Sequence, residues 1–174
     1  MSVKITYGAK QTGEIVSLAQ AKSNSRIEYD TEDDLLQLFL DSATDEIENY
    51  LNAPVIKRTD STIKLSEFKS IYRLNLEANV TALHYIDTDG NENQIATSQW
   101  EYEDRWLEIL IDRPAKFKEL KITADLGWDV ANIPKDIKRA ALLLFSHSEN
   151  YRESVNLKDN SSAYNLLRQY RLIW

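Results

Sequence analysis

The run Ile133-Pro134-Lys135-Asp136-Ile137-Lys138-Arg139-Ala140-Ala141-Leu142-Leu143-Leu144-Phe145-Ser146-His147 constrains the fold more than any other stretch of the chain. Pro134 fits the first helical position, where a missing N–H costs nothing and φ is already near the helical value. Ile137, Ala141, Leu144 and Ser148 then share one face, while Leu142, Leu143 and Phe145 make the middle apolar nearly all round. A helix that is apolar on every side needs cover on every side. It either runs through the centre of a fold or gives its second face to another subunit. Its end is expected near Arg152.

That cover must come from a chain of 174 residues, long enough for one domain with a real core and short for two. Apolar residues at 43% and charged residues at 28% are ordinary for a globular chain. No run of eighteen apolar residues is present, so no membrane span is expected, and the first residues lack a signal peptide's apolar stretch. The absence of cysteine excludes disulfides, thiolate nucleophiles and cysteine-ligated metal, and fits a reducing compartment. A net charge of −7 disfavours a dedicated nucleic-acid binder, which gains affinity from Lys and Arg at phosphates. Weak or repulsive contact with DNA remains compatible with it.

Upstream, Val3, Ile5 and Tyr7 alternate in an extended arm, residues 1–16. Ser17 is placed to cap a short helix over Leu18–Lys22. Thr31-Glu32-Asp33-Asp34 has nearly the spacing of a capping box. Leu36, Phe39, Ala43, Ile47 and Tyr50/Leu51 follow at helical steps, and Asn52-Ala53-Pro54 stops the helix. The period then shortens towards two. Strands are predicted at Thr62–Leu65, Ile71–Leu76, Val80–Ile86, Arg105–Ile111 and Leu120–Ala124, with Asp87-Thr88-Asp89-Gly90-Asn91 as a hairpin turn. Ser161/Ser162 and the spacing of Ala163, Leu166, Leu167 and Tyr170 predict a last helix. Helices flanking consecutive strands describe an α+β fold, a single domain whose helices pack around a mostly antiparallel β-hairpin region.

Few residues carry obvious chemistry. Asp87-x-Asp89-Gly90-Asn91 is superficially like a calcium loop, but its glycine stands fourth where that loop needs it sixth. His84 and His147 lie in different elements without His or Cys partners at metal-ligand spacing, so a core or interface histidine bonded to backbone or carboxylate is expected. No Gly-rich phosphate loop, G-x-S-x-G elbow or H-E-x-x-H occurs. The helix acids alternate with apolar positions as a solvated face does, leaving a carboxylate-dependent hydrolase as a secondary reading. Trp100, Tyr102, Trp106, Trp128 and Trp174 suit core or subunit contacts. A monomeric binding module built on this Trp-rich β region is the third reading. Tyr164, Leu166, Leu167, Tyr170, Leu172, Ile173 and Trp174 crowd into eleven residues, and a segment so apolar is expected to dock on its own body or on a neighbour.

In order along the chain, Leu18-Ala19-Gln20-Ala21-Lys22, the acidic turn Asp30–Asp34, Tyr50-Leu51-Asn52-Ala53-Pro54 and Tyr85-Ile86-Asp87-Thr88-Asp89-Gly90 are followed by Pro134, Ile137, Lys138, Ala140, His147 and Arg152-Glu153, then by Leu166-Leu167-Arg168-Gln169-Tyr170-Arg171. This ordered set resembles the head–tail connector, or head-completion adaptor, family of tailed bacteriophages across roughly residues 17–171. The resemblance implies a structural virion protein with no catalytic activity, cofactor or metal. It implies a ring of identical subunits, commonly twelve, between the portal protein and a tail-side neck or stopper protein. Double-stranded DNA would pass through its channel without sequence-specific binding, and assembly would take place in the host cytoplasm, away from membranes. Residues 17–160 would form the connector body and residues 161–174 a docking helix and tail. Subunit or portal contacts are expected at Leu142, Phe145, Tyr151, Arg152, Leu167, Tyr170, Leu172, Ile173 and Trp174.

Overall fold

The structure, a computed structural model, describes residues 2–74, 77–151 and 161–171. The chain divides into two compact units, one of Met1–Gln11 with Lys57–Gly127 and one of Thr12–Ile56 with Trp128–Trp174. The first is built of strands and the second of helices, so the expected α+β class holds.

The strands are β1 (Val3–Thr6), β2 (Ala9–Lys10), β3 (Arg58–Leu65), β4 (Ile71–Arg73), β5 (Ala78–Asp87), β6 (Glu92–Ile95), β7 (Trp100–Glu103), β8 (Trp106–Ile109) and β9 (Phe117–Leu126). Six form one sheet in the order β1-β3-β9-β5-β6, with β2 also on β3, and three form a second sheet, β4-β8-β7. Every ladder is antiparallel. In the central strand β9, Leu120, Ile122, Ala124 and Leu126 are buried and alternate with Lys121, Thr123 and Asp125. Ile63 and Leu83 sit opposite Ile122 from either side, so the side chains of one face stack into the core. The stretch read as an arm supplies β1 and β2. The predicted strand before the hairpin turn, Val80–Ile86, is longer than its apolar residues suggested, and β6 and β7 had no expected counterpart.

In the helical unit, α1 (Leu18–Ser25) opens on a full capping box. The Gln20 N–H donates to Ser17 Oγ at 3.3 Å, and the Ser17 N–H donates to Gln20 Oε1 at 3.1 Å. Helix α2 (Asp33–Leu51) buries Leu36, Leu40, Ala43, Ile47 and Leu51. Its expected Thr31 cap is not formed; Glu32 holds the cap position, and its side chain makes no capping hydrogen bond. The acidic turn serves another purpose, because Lys22 Nζ reaches Asp30 at 2.5 Å and Asp33 at 2.6 Å and ties the end of α1 to the start of α2. Asn52 ends α2 in the left-handed region, φ 54°.

Helix α3 (Lys135–Asn150) carries the apolar run, with Pro134 as its cap residue, one position earlier than the spacing predicted. It packs against α1, α2 and α4 (Ser161–Leu167). Ile137, Ala140, Ala141, Leu144 and Phe145 are buried, so the chain itself supplies most of the cover this helix requires. Of the two openings the sequence allowed, the central helix is the outcome.

Candidate functional site

The residues expected at subunit or portal contacts divide sharply. Phe145 and Leu167 are both 0% exposed, and correcting that expectation, they are core residues of the helical unit. Tyr151 is exposed and lies 4.9 Å from the His147 ring. Tyr170 is half-buried, its ring edge-on to Trp128 at 5.9 Å. Arg152, Leu172, Ile173 and Trp174, like Leu76 of the predicted strand Ile71–Leu76, lie outside the described residues.

Within residues 161–171 the chain docks on its own body. The Tyr164 hydroxyl donates to Glu46 Oε1, and the Tyr164 ring lies 4.8 Å from that of Tyr50. Arg171 stands over Tyr50 at 5.1 Å, and Gln169 Nε2 donates to Asp136 Oδ2 at 3.0 Å. Burial, with the neighbouring Glu46 carboxylate, pushes the Tyr164 hydroxyl well above its ordinary pKa.

Leu142 is half-buried and lines an open groove between α1 and α3 with Val16, Ala19, Gln20, Ser23, Asn24 and Lys138. The two helices are pinned beside it by Ser146, whose hydroxyl shares a 2.8 Å hydrogen bond with that of Ser25 and accepts from Asn24 Nδ2 at 3.3 Å. Lys135, Lys138, Arg139 and Leu142 recur at helical spacing and form one stripe along α3.

In the β unit, the sheet β4-β8-β7 has one buried and one open face. Tyr72, Leu107 and Ile109 are buried, while Ile71, Arg73, Trp106, Glu108, Glu101 and Glu103 point the other way. Trp106 is 48% exposed, under the Arg73 guanidinium at 5.4 Å. It directly follows the tight turn Asp104-Arg105, both in the left-handed region at φ 47° and 72°. Trp106 is therefore the exposed aromatic of the Trp-rich region, whereas Trp100 and Tyr102 are half-buried and Trp128 is buried. The strict alternation in β8 was the signal that could have singled it out.

Two carboxylates among the described residues have displaced protonation, both downward. Asp87 and Glu92 are held below the ordinary carboxylate range, Asp87 chiefly by the Asn91 N–H and Glu92 by Lys121. A general acid needs the opposite displacement. His84 Nδ1 is 3.7 Å from Glu92, and neither that atom nor His147 Nε2 has a hydrogen-bond partner, so the expected bonds at these atoms are not made. Among the described residues no cluster of His, Cys, Asp and Glu could hold a metal ion, and no helix is long and apolar enough to cross a membrane.

The model of the family described as "Head completion protein" matches residues 14–166. The chain belongs to the head completion protein family. Solved structures similar to this head-completion chain come from gene transfer agent (GTA) particles. The neck of an empty GTA particle, computed with C6 symmetry, contains a chain that is 19% identical with a TM-score of 0.69. One in the virion of the native particle is 20% identical with a TM-score of 0.65. One in the native neck, computed with C12 symmetry, is 20% identical with a TM-score of 0.58. Each match covers 100% of this chain and 97% of the other. No protein of curated function matches. In this head-completion chain the matched span opens just before the capping box of α1, leaving β1 and β2 ahead of it.

Proposed function

We propose that this chain is a non-enzymatic neck protein that completes the head of a tailed particle, forming a ring of identical subunits between portal and tail. The observation that carries this reading is a family match over residues 14–166 joined to a fold shared along its whole length with neck proteins. A twelve-subunit ring is the favoured size, in keeping with the C12 symmetry of one of those necks. The net charge of −7 suits a channel wall that repels phosphates, so that DNA slides through without sequence-specific contact. Leu142, Tyr151 and Tyr170, the described candidates that keep exposed surface, serve subunit or portal contacts, and Arg152 with Leu172-Ile173-Trp174 docks on the portal. The stopper on the tail side closes the assembly.

Deleting the coding sequence from the producing genome tests this directly. The expected particles are DNA-packed heads without tails that lose DNA, restored by supplying the chain in trans. Normal, tailed, infectious particles from the deletion would overturn it.

A further inference from the structure

Two surfaces of this chain complement each other in charge and in apolar content. The open face of the sheet β4-β8-β7 presents Trp106 and Ile71, 48% and 52% exposed, among Glu101, Glu103 and Glu108. Glu101 sits directly opposite Glu108 across the ladder, a like-charge pair that weakens the hairpin standing alone. Among the described residues of these three strands Arg73 is the cation on this face, and it stands over the Trp106 ring. On α3, Lys138 lines the groove whose apolar lining is Val16, Ala19 and Leu142, and Lys135 and Arg139 continue its stripe at helical spacing. Among the described residues, neither the three glutamates nor these three cations enter an ion pair.

We propose that the β7–β8 hairpin of one copy seats Trp106 in the α1–α3 groove of the next, with Glu101, Glu103 and Glu108 against Lys135, Lys138 and Arg139. The occupant is a second copy of this chain, because one surface supplies what the other lacks. A partner's cations relieve the Glu101–Glu108 repulsion, and the groove takes the indole out of water. The two patches differ, so the contact is heterologous and repeats head to tail, as closing a ring demands. This deepens the ring reading above and rests on it.

A charge-exchange experiment tests the contact, with portal rings as template and electron microscopy as readout. One variant carries Glu101→Lys and Glu103→Lys; the other carries Lys138→Glu and Arg139→Glu. Glu101, Glu103 and Arg139 are exposed and Lys138 is half-exposed, so circular dichroism is expected to show both folded. Each variant alone sets like charges together and is expected to lose rings about tenfold or more at low salt. Mixed in equal amounts they alternate opposite charges at every contact, and rings return. Rings from either variant alone at the wild-type level, or no recovery on mixing, overturn the contact while leaving the ring reading intact. If wild-type chain forms no ring on any portal, the ring reading falls, and this contact with it.

Discussion

Tyr164 on α4 donates its hydroxyl proton to the Glu46 carboxylate on α2 while its ring rests against Tyr50. This bond fastens the last described helix to the longest one, so α4 belongs to the helical core. Tyr164→Phe keeps the ring and removes the proton. It is expected to cost about 1 kcal/mol and lower Tm by roughly 2–4 °C. The wild type also has an alkaline signature. Because the folded-state pKa is raised, the stabilisation is complete below the ordinary tyrosine value of about 10 and is lost as pH rises beyond it. Urea melts at pH 8 and above 10 should show a smaller alkaline loss in Tyr164→Phe than in wild type.

Gly8 and Gly90 separate two reasons for glycine. A Cβ on Gly8 would lie 1.8 Å from the Thr59 carbonyl oxygen, where the chain passes from β1 to β2 over the bulge in β3. Gly90 has open space around it but a φ of +90°. Gly8→Ala must displace backbone and is expected to cost about 1–3 kcal/mol. Gly90→Ala meets only torsional strain, about 1 kcal/mol. Chemical denaturation of the two variants should rank them in that order.

Asp87 orders the β5–β6 turn by accepting from the backbone N–H groups of Asn91 at 2.8 Å and Asp89 at 2.9 Å and from Asn91 Nδ2 at 3.1 Å. The Asn91 bonds above all hold its carboxyl below the usual carboxylate range. The sign follows: its support is present above the ordinary aspartate pKa of about 3.9 and disappears as pH falls through the depressed folded value. A carboxyl titration by NMR should place Asp87 below an unstructured aspartate. Asp87→Asn should flatten the acid limb of the stability profile.

The helices were legible because burial imposes a period on long segments. Ser17 with Gln20 is a capping box in sequence and in structure. The Thr31 version is not formed, because the helix starts one residue later with Glu32 at the cap position, and the acidic turn is tied instead to Lys22, a partner eleven residues from Asp33 that no local rule connects. Strands β6 and β7 escaped notice because Glu92-Asn93-Gln94-Ile95 and Trp100-Glu101-Tyr102-Glu103 belong to edge strands, where open backbone tolerates polar side chains. The candidate contacts were the least legible. An apolar helix shows how much surface needs cover but not what covers it, and burial within the helical unit took Phe145 and Leu167 out of contention. Which cations are spent inside the chain likewise depends on its folding: Lys22 is consumed, whereas Lys135 and Lys138 remain available.

Mixing purified chain with purified portal rings and imaging the product by cryo-electron microscopy tests the central claim most directly. The account predicts a collar of chain subunits on the tail-facing end of the portal, continuing its channel and sharing its axis. Bare portal rings beside free chain, or density attached elsewhere on the portal, would contradict it.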